Sequence, residues 1–228
     1  MGSNLQLNNQ IVEYINNHSL SLHPVQKKII EYNEKLGDIK KMQISISQCH
    51  FLHFIIKILN PKNILEIGTF TGLSTLTMGL AMSKESLIIA LDKNDETSKV
   101  AKLFFEEANV GKKIEIMINN ASTSLDQIIK SNKSFDLTFI DADKENYINY
   151  FEKSLKITNR NGIIIVDNVL WYGDVANKQK KDRLTTKIRE FNSFIKKNNK
   201  VESVILPIGD GLSAVYYTHL TLPTSYSV

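Results

Sequence analysis

Between residues 63 and 198, short apolar runs alternate five times with stretches of helical spacing, and that alternation limits the chain to very few folds. The runs cover 63–67, 87–91, 114–118, 135–140 and 162–166; the helical patterns that follow cover 72–82, 95–109, 122–131, 147–157 and 180–198. A short run that is apolar throughout reads as a strand covered on both faces. Five β-then-α units therefore predict an α/β fold, with a doubly wound, mostly parallel sheet and helices on both faces. Two more runs, Val201–Leu206 and Leu212–Tyr217, flank the turn Pro207-Ile-Gly-Asp-Gly211 and bring the sheet to seven strands. A turn of that length suits a hairpin, which makes the last strand antiparallel.

Extra helices precede this unit. Leu7, Ile11, Val12 and Ile15 mark one; a second opens at Pro24 and stops at Gly37. Together they could cover the site or form a dimer face, and the pattern leaves both open. Residues 41–45 form a short link, and Ser47 is expected to cap a helix running toward Pro61. One domain is expected over residues 4–217. Residues 1–3 and 218–228 read as additions outside the domain or as disordered ends.

Composition narrows the function classes. A net charge of +4, with Lys178 to Arg183 as the densest basic cluster, gives no basic stripe and argues against a nucleic-acid partner. No apolar run approaches the roughly 18–20 residues of a membrane span, so no membrane partner is expected. The single cysteine, Cys49, excludes an internal disulfide and fits a reducing, cytoplasmic setting.

In a sheet of this kind ligands bind outside the carboxyl ends of the strands. The first strand runs into Glu66-Ile-Gly68-Thr-Phe-Thr-Gly72, a glycine turn that leads into a helix. Such a turn aims backbone N–H groups at a ligand. It lacks the G-x-G-x-x-G pattern of dinucleotide sites, and the carboxylate of Glu66 suits a cationic or hydroxyl-rich ligand better than a phosphate. Asp92 ends the second strand about 20 residues past the turn, where a carboxylate can take ribose hydroxyls. The bland role, capping the next helix, is served equally well by Asn94 or Asp95. Asn119 to Ser122 suit a base or a helix cap. The fourth strand ends in Asp141-Ala-Asp143-Lys144 and the fifth in Asp167-Asn168. Oxygen ligands gathered at two central strand ends call for a cation between them, and a hard divalent ion such as Mg²⁺ fits. Lys144, beside that ion, is a candidate general base.

With those motifs in place the chain resembles the small cation-dependent O-methyltransferases that use S-adenosylmethionine, the caffeoyl-CoA and catechol type, in its bacterial branch. The resemblance covers residues 38–217 and rests on Met42-Gln-Ile-Ser45, Glu66 to Ser74, Phe139 to Tyr147, Val166 to Gly173 and Leu206 to Leu212. It implies the Rossmann-like class I methyltransferase fold. It also implies that Glu66, Gly68 and Ser74 hold the methionine part of the cofactor, with Asp92 on the ribose and Ala121 near the adenine. Asp143 would lie by the cofactor's amino group, and Met42 and Ile44 belong to the segment closing over it. Asp141 would face both the cofactor and the metal, joined there by Asp167 and Asn168, with Lys144 as the base. Trp171 would border the pocket. Some relatives carry threonine where Ile44 stands, and Gly-Gln where this chain has Cys49-His50. His50 and His53 lie one helical turn apart but have no third partner in view for a metal.

The expected activity is cation-dependent methylation of a vicinal aromatic diol, a small molecule, by a homodimer. The alternatives are a nicotinamide-dependent Rossmann oxidoreductase, a nucleic-acid methyltransferase or binding module, and a catalytically silent homologue. The missing third glycine and the Asp167-Asn168 pair speak against the first.

Overall fold

The computed structural model describes residues 5–218. Three helices come first: α1 (Asn9–Asn17), α2 (Pro24–Glu34) and, after a 3₁₀ turn over Gly37–Met42, α3 (Ile46–Leu59). The alternating unit follows as β1 (Asn63–Ile67), α4 (Leu73–Ala81), β2 (Leu87–Asp92), α5 (Asp95–Glu107), β3 (Ile114–Ile118), α6 (Ala121–Lys130), β4 (Phe135–Ile140), α7 (Tyr147–Ile157), β5 (Thr158–Val166) and α8 (Arg183–Lys197). The strands β6 (Val201–Leu206) and β7 (Leu212–Tyr217) follow.

The seven strands form one sheet in the order β3-β2-β1-β4-β5-β7-β6. As expected, β7 is antiparallel, and it pairs with β5 on one side and β6 on the other. Alternate residues of each strand feed two cores. Ile64, Ile88, Leu137, Phe139 and Ile165 face α2 to α5; Leu65, Ile67, Leu91, Ile140 and Val166 face α6 to α8. Burying each such side chain contributes about 1.5–3 kcal/mol, which is why the central strands carry almost no polar residue.

Several boundaries differ from the sequence expectation, each for a local reason. Ser45, not Ser47, caps α3. Its hydroxyl accepts from Gln48 N and the Gln48 side chain answers to Ser45 N, a reciprocal capping box. Ser47 instead donates to Asn16 at 3.1 Å. Asn94 and Asn120 cap α5 and α6, so neither Asp92 nor Ser122 has that duty. Helix α8 begins only after Asp182, whose carboxylate accepts from Thr185 N at 3.0 Å. Strand β5 starts at Thr158, not residue 162, because its pairing with β4 shifts register between Phe135 and Leu137 and admits the polar residues 159–161. Residues 1–3 and nearly all of 218–228 lie outside the described residues. Thr218 is the exception: it is buried and its hydroxyl donates to Lys200 O at 3.1 Å.

Candidate active site

Strand order reverses direction around β1 and β4, and the strand ends there run one residue past the sheet. Gly68 N donates to Leu91 O at 2.9 Å, Asp141 N to Ile67 O at 2.8 Å and Asp167 N to Ile140 O at 2.9 Å. Those bonds set Gly68, Asp141 and Asp167 side by side. Gly68 has to be glycine here: its φ is +95°, and a Cβ would meet the Asp141 carbonyl oxygen at 1.9 Å.

Glu66 points to the α4 side of the sheet and is fully buried. Ser74 Oγ donates to one carboxylate oxygen at 2.5 Å and Thr75 Oγ1 to the other. Burial pushes its pKa up to about 8, and the negative charges of Asp141 and Asp92 add to the rise while the two hydroxyls oppose it. The group therefore holds its proton near neutral pH, and a cationic group placed beside it would favour the carboxylate form. Asp92 spends one oxygen on Thr69 N and Phe70 N, at 3.0 and 2.8 Å, and the other on Asn94 N at 2.8 Å. It thereby shapes the glycine turn itself, a role additional to the ribose contact expected of it.

The second half of the site is acidic. Lys144 Nζ lies 2.9 Å from Asp141 Oδ1 and 5.0 Å from the centre of the Tyr147 ring, with both members of the ion pair largely buried. Burial works against the ammonium, but Asp141 and Tyr147 outweigh it and hold the Lys144 pKa above its ordinary value. Unliganded, Lys144 is thus a locked ammonium, whereas a base requires the neutral amine. Asp167 is 1% exposed. One of its oxygens accepts from Gln48 Nε2 and from Asn168 N, each at 2.6 Å. Burial and the neighbouring Asp141 raise its pKa well above the carboxylate range. The Tyr147 hydroxyl holds the Asp167 carbonyl at 2.9 Å.

Asn168 follows in left-handed backbone, as do Trp171 and Tyr172 two turns of the loop later. Three non-glycine residues at positive φ within five positions mark a constrained rim. Trp171 is half-buried against the α6 to α8 core and tilts against Tyr172 at 5.5 Å. Asp143 is exposed and is held by Tyr150 OH at 2.6 Å and by Asn146. Ala121 opens α6, half-buried, beside Ser122, which Lys153 grips through its carbonyl and hydroxyl at 3.1 and 2.6 Å.

The structure therefore gathers Glu66, Gly68, Ser74, Asp92, Asp141, Lys144, Asp167 and Asn168 at the carboxyl edge of the sheet. The strip ahead of α3 divides: Met42 is 58% exposed, whereas Ile44 is 4% exposed and packs into the α2 to α5 core. Among the described residues no group of three or more His, Cys, Asp or Glu is gathered for a metal, so His50 and His53 gain no third partner. The oxygen set at β4 and β5 consists of two carboxylates and an amide. A cavity of about 340 Å³ at the opposite ends of the strands, among Asn63, Leu87, Ile89, Lys113, Lys133 and Phe135, contains none of these residues. Tyr147 entered sequence reasoning only as the end of a motif, and Gln48, Thr75 and Tyr150 escaped it. Only Gln48 carried a signal, standing three residues after Ser45 in the capping-box pattern.

The sequence and the fold have counterparts in known proteins. The O-methyltransferase family is matched over residues 16–217. Probable caffeoyl-CoA O-methyltransferase 2 of Dictyostelium discoideum is 38% identical over 215 residues, covering 92% of this chain and 93% of the relative. The caffeoyl-CoA O-methyltransferase of Populus kitakamiensis is 34% identical over 188 residues, covering 79% and 80%. The crystal structure of the O-methyltransferase from Bacillus cereus in complex with SAH aligns with a TM-score of 0.83 at 28% identity, covering 92% of this chain and 97% of that one. These relatives span slime mould, plant and bacterium and do not single out a bacterial branch. The match also sets aside the nicotinamide-dependent oxidoreductase. The chain belongs to the O-methyltransferase family, that of the caffeoyl-CoA enzymes.

Proposed function

We propose that the protein transfers a methyl group from S-adenosylmethionine to one hydroxyl of a small vicinal aromatic diol, assisted by a divalent cation, Mg²⁺. The observation that carries this reading is the pairing of two unlike half-sites at adjacent strand ends. One is the buried Glu66 with its glycine turn, and the other is Asp141, Asp167 and Asn168. The donor set fits a hard cation: its ligands are all oxygen, and the crowding of Asp141 and Asp167 raises the proton affinity of the latter until a positive charge relieves it. When bound, the cation supplies chelation of two neighbouring hydroxyls and lowers their pKa.

The chain's own residues then have separable duties. Glu66 offers a desolvated carboxylate to the cationic methionine end of the donor, with Ser74 fixing its rotamer. Gly68 lets the backbone approach that end, Asp92 reaches the ribose, and Ala121 borders the adenine. Met42, Ile44 and Asp143 complete the donor's surroundings. Asp141, Asp167 and Asn168 hold the cation. Once a cation beside Asp141 had turned the Lys144 ammonium into the neutral amine, Nζ would take the proton of the acceptor hydroxyl, and S-adenosylmethionine, when bound, would supply the methyl group to that oxygen and leave as S-adenosylhomocysteine. Alignment accounts for most of the acceleration, because the donor is already activated by its charge.

A homodimer and a cytoplasmic setting complete the reading. Helix α1 buries none of its residues, and Val12, Tyr14 and Ile15 join Phe54 and Ile58 of α3 as exposed apolar groups on packed helices. Among the described residues no helix is long and apolar enough to cross a membrane. The test is methyl transfer to catechol from S-adenosylmethionine, with Mg²⁺ or with a chelator. Turnover unaffected by the chelator overturns the cation, and absence of methylated catechol overturns the diol.

A further inference from the structure

We propose that Gln48 is a positioning residue that turns Asp167 toward the cation and ties cation binding to the placement of the strip over residues 42–45. The proposal rests on the cation reading above. Its basis is the division of one buried amide between two partners. Gln48 is 3% exposed. Its Oε1 accepts from Ser45 N at 2.7 Å, while its Nε2 donates to Asp167 Oδ1 at 2.6 Å. The backbone closes the ring, since Gln48 N donates to Ser45 Oγ at 3.3 Å.

An amide normally flips at little cost, but this one is fixed from both ends. The N–H of Ser45 needs an acceptor and the carboxylate of Asp167 needs a donor, so only one orientation satisfies both. Asn168 N supplies a second donor to the same Asp167 oxygen. With Oδ1 taken twice, and no hydrogen bond among the described residues reaching Oδ2, the carboxylate keeps one oxygen for a ligand outside the protein. A third element holds the arrangement: the turn between β6 and β7 packs so closely that a Cβ on Gly209 would meet the Gln48 amide at 2.5 Å.

The consequence is linkage. Any displacement of Ser45 moves the amide oxygen, and with it the donor on Asp167. The strip is also held from the other side, where Asn33 Nδ2 donates to Gln43 Oε1 at 2.8 Å. Closing that strip over the donor and fixing the metal-facing carboxylate are thus one movement, and by reciprocity each ligand tightens the other.

The experiment titrates the whole protein with Mn²⁺ by electron paramagnetic resonance, and with S-adenosylhomocysteine by calorimetry in the absence and presence of Mn²⁺. Wild-type protein should bind both, each strengthening the other about 5-fold or more. Gln48→Met should lose roughly 10-fold or more in Mn²⁺ affinity. It should keep metal-free S-adenosylhomocysteine binding within about 3-fold and show no mutual strengthening. Gln48→Asn, whose shorter amide cannot span both partners, should behave alike and serves where the first variant does not fold. Ser45→Ala, which retains the Ser45 N–H and the amide bridge, should keep Mn²⁺ affinity within about 2-fold. Wild-type Mn²⁺ affinity and coupling in both Gln48 variants overturn the proposal. So does an equal loss in Ser45→Ala, which would mean that helix capping alone matters. Wild-type protein that binds S-adenosylhomocysteine but no Mn²⁺ overturns the cation reading and this proposal together.

Discussion

Two segments border the candidate site, and they are held by opposite means. The loop from Val169 to Asp182 is pinned from beneath by two side chains of α8, Asn192 at the Val169 carbonyl (2.8 Å) and Arg189 along the rest. Arg189 donates to the carbonyls of Asp174, Val175, Asn177 and Lys180 at 2.5 to 2.9 Å, so one guanidinium closes four main-chain acceptors. Leu170 N and Tyr172 N add bonds to Asp210, at 3.0 and 2.6 Å. The strip over 37–45 has no such pin. It is a short 3₁₀ turn and an extended link, fastened at Gln43 by Asn33 and at Ser45 by Gln48. One wall is therefore held by a dense set of main-chain bonds, while the other, on the proposal above, is tied to Asp167. Acceptor shape should be read from the first and donor retention from the second.

The largest test removes what the strip is tied to. Asp167→Ala should abolish cation-dependent turnover, by more than about 10³-fold, while S-adenosylhomocysteine affinity stays within a few-fold. Equal loss of both would mean that the two half-sites are not separable. Next, Arg189→Ala should loosen only the first wall. The expected result is roughly a 10-fold rise in KM for the acceptor with donor binding unchanged, and about 2 kcal/mol lost in stability for the orphaned carbonyls. A matching fall in donor affinity would break the contrast between the walls.

Glu66 belongs to neither wall and sharpens the comparison by its pH behaviour. Its folded pKa of about 8 stands above its ordinary 4.5, so the folded state holds the proton more tightly. Its contribution to stability is therefore full below the unfolded value and is lost as pH climbs toward 8. Melting of the unliganded protein should drop by roughly several degrees across that window, and Glu66→Gln should flatten the decline. Identical slopes would remove buried Glu66 as the source. The smallest effect is expected from Asn33→Ala, which frees Gln43 alone: about a 2-fold faster release of S-adenosylhomocysteine, measured by stopped flow, with acceptor KM unmoved.

Strands were legible because a parallel sheet covered on both faces demands uninterrupted apolar runs, and Ile64 to Ile67 or Phe135 to Ile140 can be little else. Polar residues at the ends of those runs, from Glu66 to Asn168, were legible for the same reason, since strand ends are where the burial rule lapses. What stayed hidden was set by contacts between distant parts of the chain. Arg189 reads as a surface residue of α8, because its four acceptors lie 9 to 15 positions away and are main-chain atoms that no residue type announces. The early start of β5 hides behind Asn159 to Asn161, which look like a loop until β4 is placed beside them. The cap of α3 turned on a choice between two serines, and a glutamine three residues beyond Ser45 decided it. The ionic lock on Lys144 follows from how close Asp141 comes, which spacing alone does not fix.

Of the described strands β7 is made after all the others, yet it lies between β5 and β6. While the ribosome is still extending the polypeptide, one flank of β5 has no permanent neighbour, and Val166, which leads into Asp167, waits for Ser213. The sheet beside β5 is thus completed only after residues 212–217 have been made. A nascent product released before residue 212 would carry every group of the site described above, with an open sheet margin beside it inviting adhesion to other chains.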